Sequence, residues 1–366
     1  LGVVTARDDW VYDFEKESLE KKVKALIAAY NADMKKWAAM KKRDKRIEDL
    51  DASIKWSRAV KNDLKNKVEY KFERKNIIVA TYRPFVKSYL YYDGHLNEMQ
   101  YQLGSIFSVE PNPTIAFLSV DSSNPLAVLA VNQYFDYCLL KKGNGGTQSL
   151  PRWRYDDEGR RIDNISDWAL QQFRLHYDAA KKEKRQISKD AIFHYVYGVL
   201  HDPVYRTRYA QNLRREFPRI PYYANFWRWA EWGEKLLALH IDYEVVKPWK
   251  LKRVEVADGK STKEDHSLRP VLKADRDNGI IALDSKTKLT GIPNEAWDYQ
   301  LANRPALEWI LDQYREWTPK DLTIRDRFNT YRFSDHKEKV IDLLMRVTRV
   351  SVETMEIVEA MKSEKR

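Results

Sequence analysis

The sequence predicts an α+β fold: charged N-terminal helices, a central sheet, a helical block, and a second extended region closed by C-terminal helices. Three observations predict it. Apolar residues between 13 and 67 recur at helical spacing. From Val68 to Leu150 they gather into short apolar or β-branched runs separated by Pro, Gly and Asn. After residue 165 helical spacing returns, behind a series of good N-cap residues.

Residues 1–67 read as a helical lead-in. Asp13 can cap the start, and Leu19, Val23, Leu26, Ile27, Tyr30, Met34 and Trp37 follow the steps of one helix face. The run MKKWAAMKKRDKR is basic on several faces, which reads either as a solvated surface or as a phosphate contact. Residues 68–150 form a β-rich subdomain, in which NIIVATYRPF, SYLYY, TIAFLSV and LAVLAVNQYFDYCLL read as strands of one sheet and KKGNGGTQSLPRWR as the closing loop. Residues 151–242 form a helical subdomain. Ser166 and Ser188 are N-caps, Asp202 caps a helix with Pro203 in its first position, and Asn225 starts the next. Residues 243–366 are mixed, β then α: extended to Leu289 around a polar ADGKSTKEDHS loop, then a helix from Pro305 to Glu316 and one or two between Ser334 and Met361.

The chain carries 65 basic and 54 acidic residues, a net charge of +11. A basic balance suits a polyanionic partner without identifying one. Its 12 Trp and 22 Tyr build cores first and stack bases second. One cysteine, Cys138, excludes a disulfide framework and a cysteine-rich zinc site, and favours a reducing, cytoplasmic setting. No apolar run approaches the roughly 20 residues that span a bilayer, so no membrane partner is expected.

Catalytic signatures do not assemble. NPT at 112–114 and NPL at 124–126 lack the second proline and the aromatic that would hold a flipped adenine. GNGG at 143–146 has no strand–turn–helix setting for a nucleotide. GKST at 259–262 copies the end of a phosphate loop, but Val254 stands where its first glycine belongs. The triplets Glu69-Tyr70-Lys71 and Glu73-Arg74-Lys75 resemble nuclease carboxylate–lysine pairs, and accident explains them in a chain so rich in Glu and Lys. His194 and His201 share a helix face without an acidic or Cys ligand at metal spacing.

The densest signal is DAIFHYVYGVLHDPVYRTRYAQNLRREFPRIP, residues 190–221. Ile192, Tyr195, Val196, Val199 and Leu200 make one apolar stripe; Tyr205, Tyr209, Leu213 and Phe217 make another, so most of these aromatics are expected in the core. Arg206, Arg208, Arg214, Arg215 and Arg219 remain as an outward row with Glu216 the only acid among them. Arginines that cannot all pair locally suit phosphate.

That segment resembles a signature of the C-terminal target-recognition region of type ISP restriction–modification enzymes, the single-polypeptide ATP-dependent kind. GVVTARDDWVYDF, TYRPFVKSYLYYD, YQLANRPALEWILDQY and RVSVETMEIV are similar to further elements of that family, in order, so the resemblance covers essentially the whole chain. Ala302 and Pro305 depart from it, standing where the family's LGNRSALEW has Gly and Ser. The resemblance implies a module without a catalytic site, which binds double-stranded DNA and presents the target to an adenine methyltransferase domain upstream in the same polypeptide. It also implies no cofactor in this chain: S-adenosylmethionine, ATP and Mg belong to upstream domains.

On that reading phosphate contacts come from Lys and Arg on helices and loops, and bases are read by a loop or strand edge in the major groove. The candidates are Arg83 and Lys87 near YRPF; Arg152 and Arg154; Arg206, Arg208, Arg214 and Arg215; Lys250, Lys252 and Arg253; Lys286 and Lys288; and Arg325, Arg327, Asn329 and Arg332. Each alone also reads as a solvated charge, and Arg83 equally as a structural arginine paired under the sheet. Two other functions stand beside this one: a methyltransferase or nuclease with diverged motifs, and a coupling scaffold that touches only neighbouring domains.

Overall fold

A computed structural model describes residues 1–41, 43, 45–118, 124–141, 146–178, 185–255 and 269–366. The GKST tetrapeptide and its polar loop lie outside the described residues, as do three positions of GNGG. Among the described residues no helix is long and apolar enough to cross a membrane. The architecture is mixed α+β, as expected, with the strands divided among several small sheets.

The first long helix, Lys16–Ala39, buries Leu19, Val23, Leu26, Ile27, Tyr30, Met34 and Trp37, the face its spacing predicts. Its start differs from expectation. Asp13 sits in the short strand Tyr12–Asp13 and accepts from the Glu15 amide at 2.9 Å and the Ser18 hydroxyl at 2.8 Å while pairing with Lys22. The helix stops at Ala39, and a separate helix, Arg58–Lys65, completes the lead-in.

The single sheet expected over 68–150 is two. Ile77–Arg83 and Val86–Tyr91 form a hairpin whose second strand takes Tyr12–Asp13 on its free edge. The turn between them is tight, with Phe85 buried at φ +59°. The later strands pair among themselves: Thr114–Leu118 lies between Val128–Val131 and Thr147–Pro151, all antiparallel, with a single bridge from Phe135 to Thr81 linking them to the hairpin. This second sheet has no solvent face at its centre. Ile115, Phe117, Val128 and Ala130 enter one core; Ala116, Leu118, Leu129 and Val131 enter the other. Burial on both faces makes those strands read as continuous apolar runs rather than alternating ones. The larger core draws on residues from Val3 to Val352, across the segment boundaries read from the sequence.

Local signals of the helical block hold. Ser188 accepts from the Ala191 amide, Asp202 from Val204, Asn225 from Arg228 and Ser166 from Ala169. The helices Lys189–His201 and Phe226–Ile241 pack at backbone contact. A Cβ on Gly233 would lie 1.7 Å from the His194 carbonyl oxygen, and one on Gly198 would lie 2.4 Å from that of Trp229. The second apolar stripe is a correction. The helix behind Pro203 ends at Arg208, because the chain turns back there and the Tyr205 hydroxyl donates to the Arg219 carbonyl at 2.9 Å. Tyr205 is buried, but Tyr209 is 38% and Phe217 53% exposed.

In the last segment, Lys252–Glu255, Pro270–Asp275, Ile280–Asp284 and Thr287–Thr290 build a four-stranded antiparallel sheet. Ala306–Gln313 is the expected helix, and Phe333–Lys362 is one continuous helix. Beyond it, Arg366 grips the buried Asp202 carboxylate through two hydrogen bonds of 2.6 and 2.8 Å.

Because neither partner backbone at the glycine contact can yield, Gly233→Ala is expected to lower stability by about 3 kcal/mol through overpacking. The urea midpoint should fall at unchanged slope; an unchanged midpoint would contradict the close packing.

Candidate nucleic-acid interface

Of the five arginines in the row from Arg206 to Arg219, Arg206 turns inward. Arg206 donates from Nε to the Leu200 carbonyl at 2.6 Å. Its charge reaches a buried group formed by His201 and His240. His240 lies within hydrogen-bonding distance of three hydroxyls: Tyr197 at 2.5 Å from Nδ1, and Thr354 and Tyr299 at 3.0 and 3.1 Å from Nε2. Burial first, and the Arg206 guanidinium second, push His240 down to about 3 and His201 well below its ordinary value. These histidines are core groups. Arg206 therefore leaves the outward row, which keeps Arg208, Arg214 and Arg215 exposed, while Arg219 pairs with Glu216 at 2.8 Å.

The same division runs through the next candidates. Arg152 is only 5% exposed. It donates to Asp190 at 2.6 Å and Asp163 at 2.7 Å, so it ties the strand Trp153–Tyr155 to the start of the Lys189–His201 helix. Arg154 is exposed between the half-buried Trp153 and the buried Tyr155 of that strand, while Arg152 sits at the bend before it. Arg83 is 7% exposed and donates to Asp136 at 2.7 Å under the hairpin, the structural placement of its two readings. Burial raises the Asp136 carboxyl to about 6, with the Arg83 charge pulling the other way. Lys87 pairs with Glu244 at 2.6 Å.

The four-stranded sheet gathers lysines. Thr290 faces Lys252, Val254 faces Lys288, and Ala282 stands opposite both Lys288 and Lys273. With a side-chain period of two, Lys252, Lys273 and Lys288 share the face opposite buried Leu289 and Thr287. All three are exposed. Lys273 is a residue that sequence reasoning missed, since only strand register brings it to its neighbours. Lys250 is exposed at the sheet's approach; Lys286 is half-buried at its turn. Arg253, on the other face, is neutralised by Glu255 at 2.6 Å and Glu338 at 2.9 Å.

The last candidates surround a cleft of about 590 Å³ between the N-terminal segment, the hairpin and residues 312–336. Asn329 and Arg332 line it, and Arg332 donates to the carbonyls of Asn329 and Tyr331. Arg325 pairs with Asp326, and Arg327 covers the Phe328 ring. Seven carboxylates line this cleft against four lysines and arginines, a balance that repels phosphate. Among the described residues, no group of three or more His, Cys, Asp or Glu converges on a metal-sized site.

A family model described as the Type ISP C-terminal specificity domain matches residues 1–343. The chain belongs to that family. Solved structures agree with the sequence resemblance. All of this chain superposes on 36% of the chain in a cryoEM structure of the DrdV–DNA complex, with a TM-score of 0.93 at 46% identity. It also superposes on 33% of a nuclease-deletion mutant of the Type ISP enzyme LlaGI in complex with a DNA substrate mimic, at TM-score 0.78 and 29% identity. The Type ISP enzyme LlaBIII bound to DNA gives TM-score 0.78 at 25% identity over 23% of its chain. The chain thus spans about a third or less of the proteins it resembles in structure. No curated protein sequence matches it.

Two outcomes separate structural from surface cations in this specificity domain. Arg152→Ala leaves Asp163 and Asp190 without their shared partner and should lower stability by about 2 kcal/mol, whereas Arg154→Ala should stay within about 0.5 kcal/mol. Equal thermal midpoints for the two variants would refute the assignment. The buried histidines set a pH dependence. Their folded pKa values lie below the unfolded value near 6.5, so their share of stability is complete above that pH and drains as pH falls toward 3. At pH 5 the His240 ring has lost about 2 kcal/mol and Asp136, raised to about 6, offsets about 1 kcal/mol; His201 adds a further loss of the same sign as His240, so stability falls on acidification. Urea titrations at pH 7.5 and 5 measure it, and a flat profile would overturn the neutral-histidine core.

Proposed function

We propose that this chain recognises a specific double-stranded DNA target and positions it for an adenine methyltransferase domain upstream in the same polypeptide. Membership of the specificity-domain family supports recognition as its task. The observation that carries the DNA contact is the set of exposed cations with no ion pair among the described residues, in two places: Lys252, Lys273 and Lys288 on one sheet face, and Arg208, Arg214 and Arg215 on the helical block. Cations of this kind neutralise phosphates and set register without reading sequence.

Sequence readout falls to exposed side chains on strand and loop edges, with Arg154, Lys250, Arg325 and Arg327 as candidates of suitable chemistry. Arg83, Arg152 and Arg206 act indirectly, by holding the elements that carry those side chains. The chain itself makes and breaks no bonds; S-adenosylmethionine, ATP and Mg are the business of other domains of the parent restriction–modification polypeptide.

Anisotropy titrations of the chain with labelled duplex across a salt series test this. The logarithm of affinity should fall linearly with log salt, and a K252Q/K288Q variant should flatten the slope by about 2. Calorimetry should show no S-adenosylmethionine binding. Absence of duplex retention at low salt favours the scaffold reading, and cofactor affinity in this chain favours the enzyme reading.

A further inference from the structure

The helix Arg58–Lys65 has no part in the interface described above. Its inner face buries Val60 and Leu64. Its outer face presents Arg58, Lys61 and Lys65 beside Asn62 along a shallow groove of about 580 Å³. Steps of three and four residues place the three cations on one stripe. None of them meets a carboxylate among the described residues. The nearby Asp63 is occupied by the Tyr70 hydroxyl and the His95 ring, both at 2.8 Å. Lys67 and Lys71, which follow, are exposed as well.

In the helix Lys16–Ala39, Lys22 pairs with Asp13 and Lys24 with Glu20, whereas the exposed Lys21 and Lys35 meet no carboxylate among the described residues. Like charges three and four residues apart repel one another, and a row of them with no counter-charge is favourable only against an anion. The row is open and linear, so it fits a charged strand better than a small ion. From Arg58 to Lys65 the helix rises about 10 Å, the axial length of about three successive phosphates on one DNA strand.

We propose that this stripe is a second phosphate-tracking surface, which holds the duplex backbone outside the recognition face and is indifferent to sequence. The inference rests on the duplex binding proposed above, and it adds residues that no sequence motif singled out.

The test is the salt dependence of duplex binding by the chain and by its R58Q/K61Q/K65Q variant, with target and scrambled duplexes. The variant should flatten the salt slope by between two and three and weaken binding at least tenfold at low salt, equally for both duplexes. A charge-retaining R58K/K61R/K65R variant should keep the slope, and matching thermal midpoints exclude a folding defect. If the wild type shows a salt-dependent interaction that the variant reproduces unchanged, the stripe is not a DNA contact and the recognition function stands. A loss confined to one duplex overturns the sequence-indifferent assignment. No duplex binding by the wild type overturns both proposals.

Discussion

The strand Thr114–Leu118 and its neighbour Val128–Val131 bury both of their faces, and the remaining structure is arranged around that fact. A strand with two apolar faces must be covered twice. One cover is the helical block behind Phe117 and Val128; the other is the core that joins the first helix, the hairpin and the last helix. Shifting the strand by one residue would exchange Ala116 for Phe117 between two close-packed cores, so its register is fixed from both sides. The exposed cations of the helical block and those on the rest of the chain therefore belong to one packed frame. For recognition that is the useful property, since phosphate contacts set register only if they are rigidly spaced.

Much of this frame was legible in the sequence because it is written locally. The first helix shows its buried face residue by residue, and the caps at Ser188, Asp202 and Asn225 use side chains two or three positions from the amides they satisfy. What was not legible depends on distant partners. Tyr12–Asp13 captures one edge of the hairpin from more than seventy residues away in sequence, and Phe135 meets its other edge only at a single bridge to Thr81, pairings that no local pattern announces. The overrun of the helix past Arg208 has a similar origin: the spacing of Tyr205, Tyr209, Leu213 and Phe217 suits a helix, yet the hydrogen bond from Tyr205 to Arg219 folds the chain back.

The candidate site divides along chemical lines. Arg83, Arg152 and Arg206 are drawn into the fold, and Arg7 lies fully buried with Nη1 donating to the Leu96 carbonyl at 2.7 Å. Lysines 250, 252, 273 and 288 remain in water. Guanidinium is weakly hydrated and offers a planar fork of donors, so it can be buried against a carboxylate or a row of carbonyls; ammonium holds its water more tightly. Aromatic–arginine density along the sequence is therefore a signature of internal clamps as much as of a nucleic-acid surface. The cations left for a polyanion are the less conspicuous ones, and the register that gathers them cannot be read from spacing alone.

The charge of the chain is also unevenly placed, and this narrows where a duplex can lie. The cleft beside the hairpin, about 590 Å³, has a lining with more carboxylates than cations. A net charge of +11 on a chain in which this cleft is acidic leaves the positive excess to other surfaces. Open cations are each worth little in water and act together through released counterions, so affinity built this way is additive, distributed and steeply dependent on salt. On the proposed reading, discrimination between sequences falls to a few exposed side chains at strand and loop edges, with the buried arginines holding the elements that carry them. If the chain binds DNA as proposed, such a surface would hold any duplex weakly and reward one sequence only where those few side chains meet their base edges.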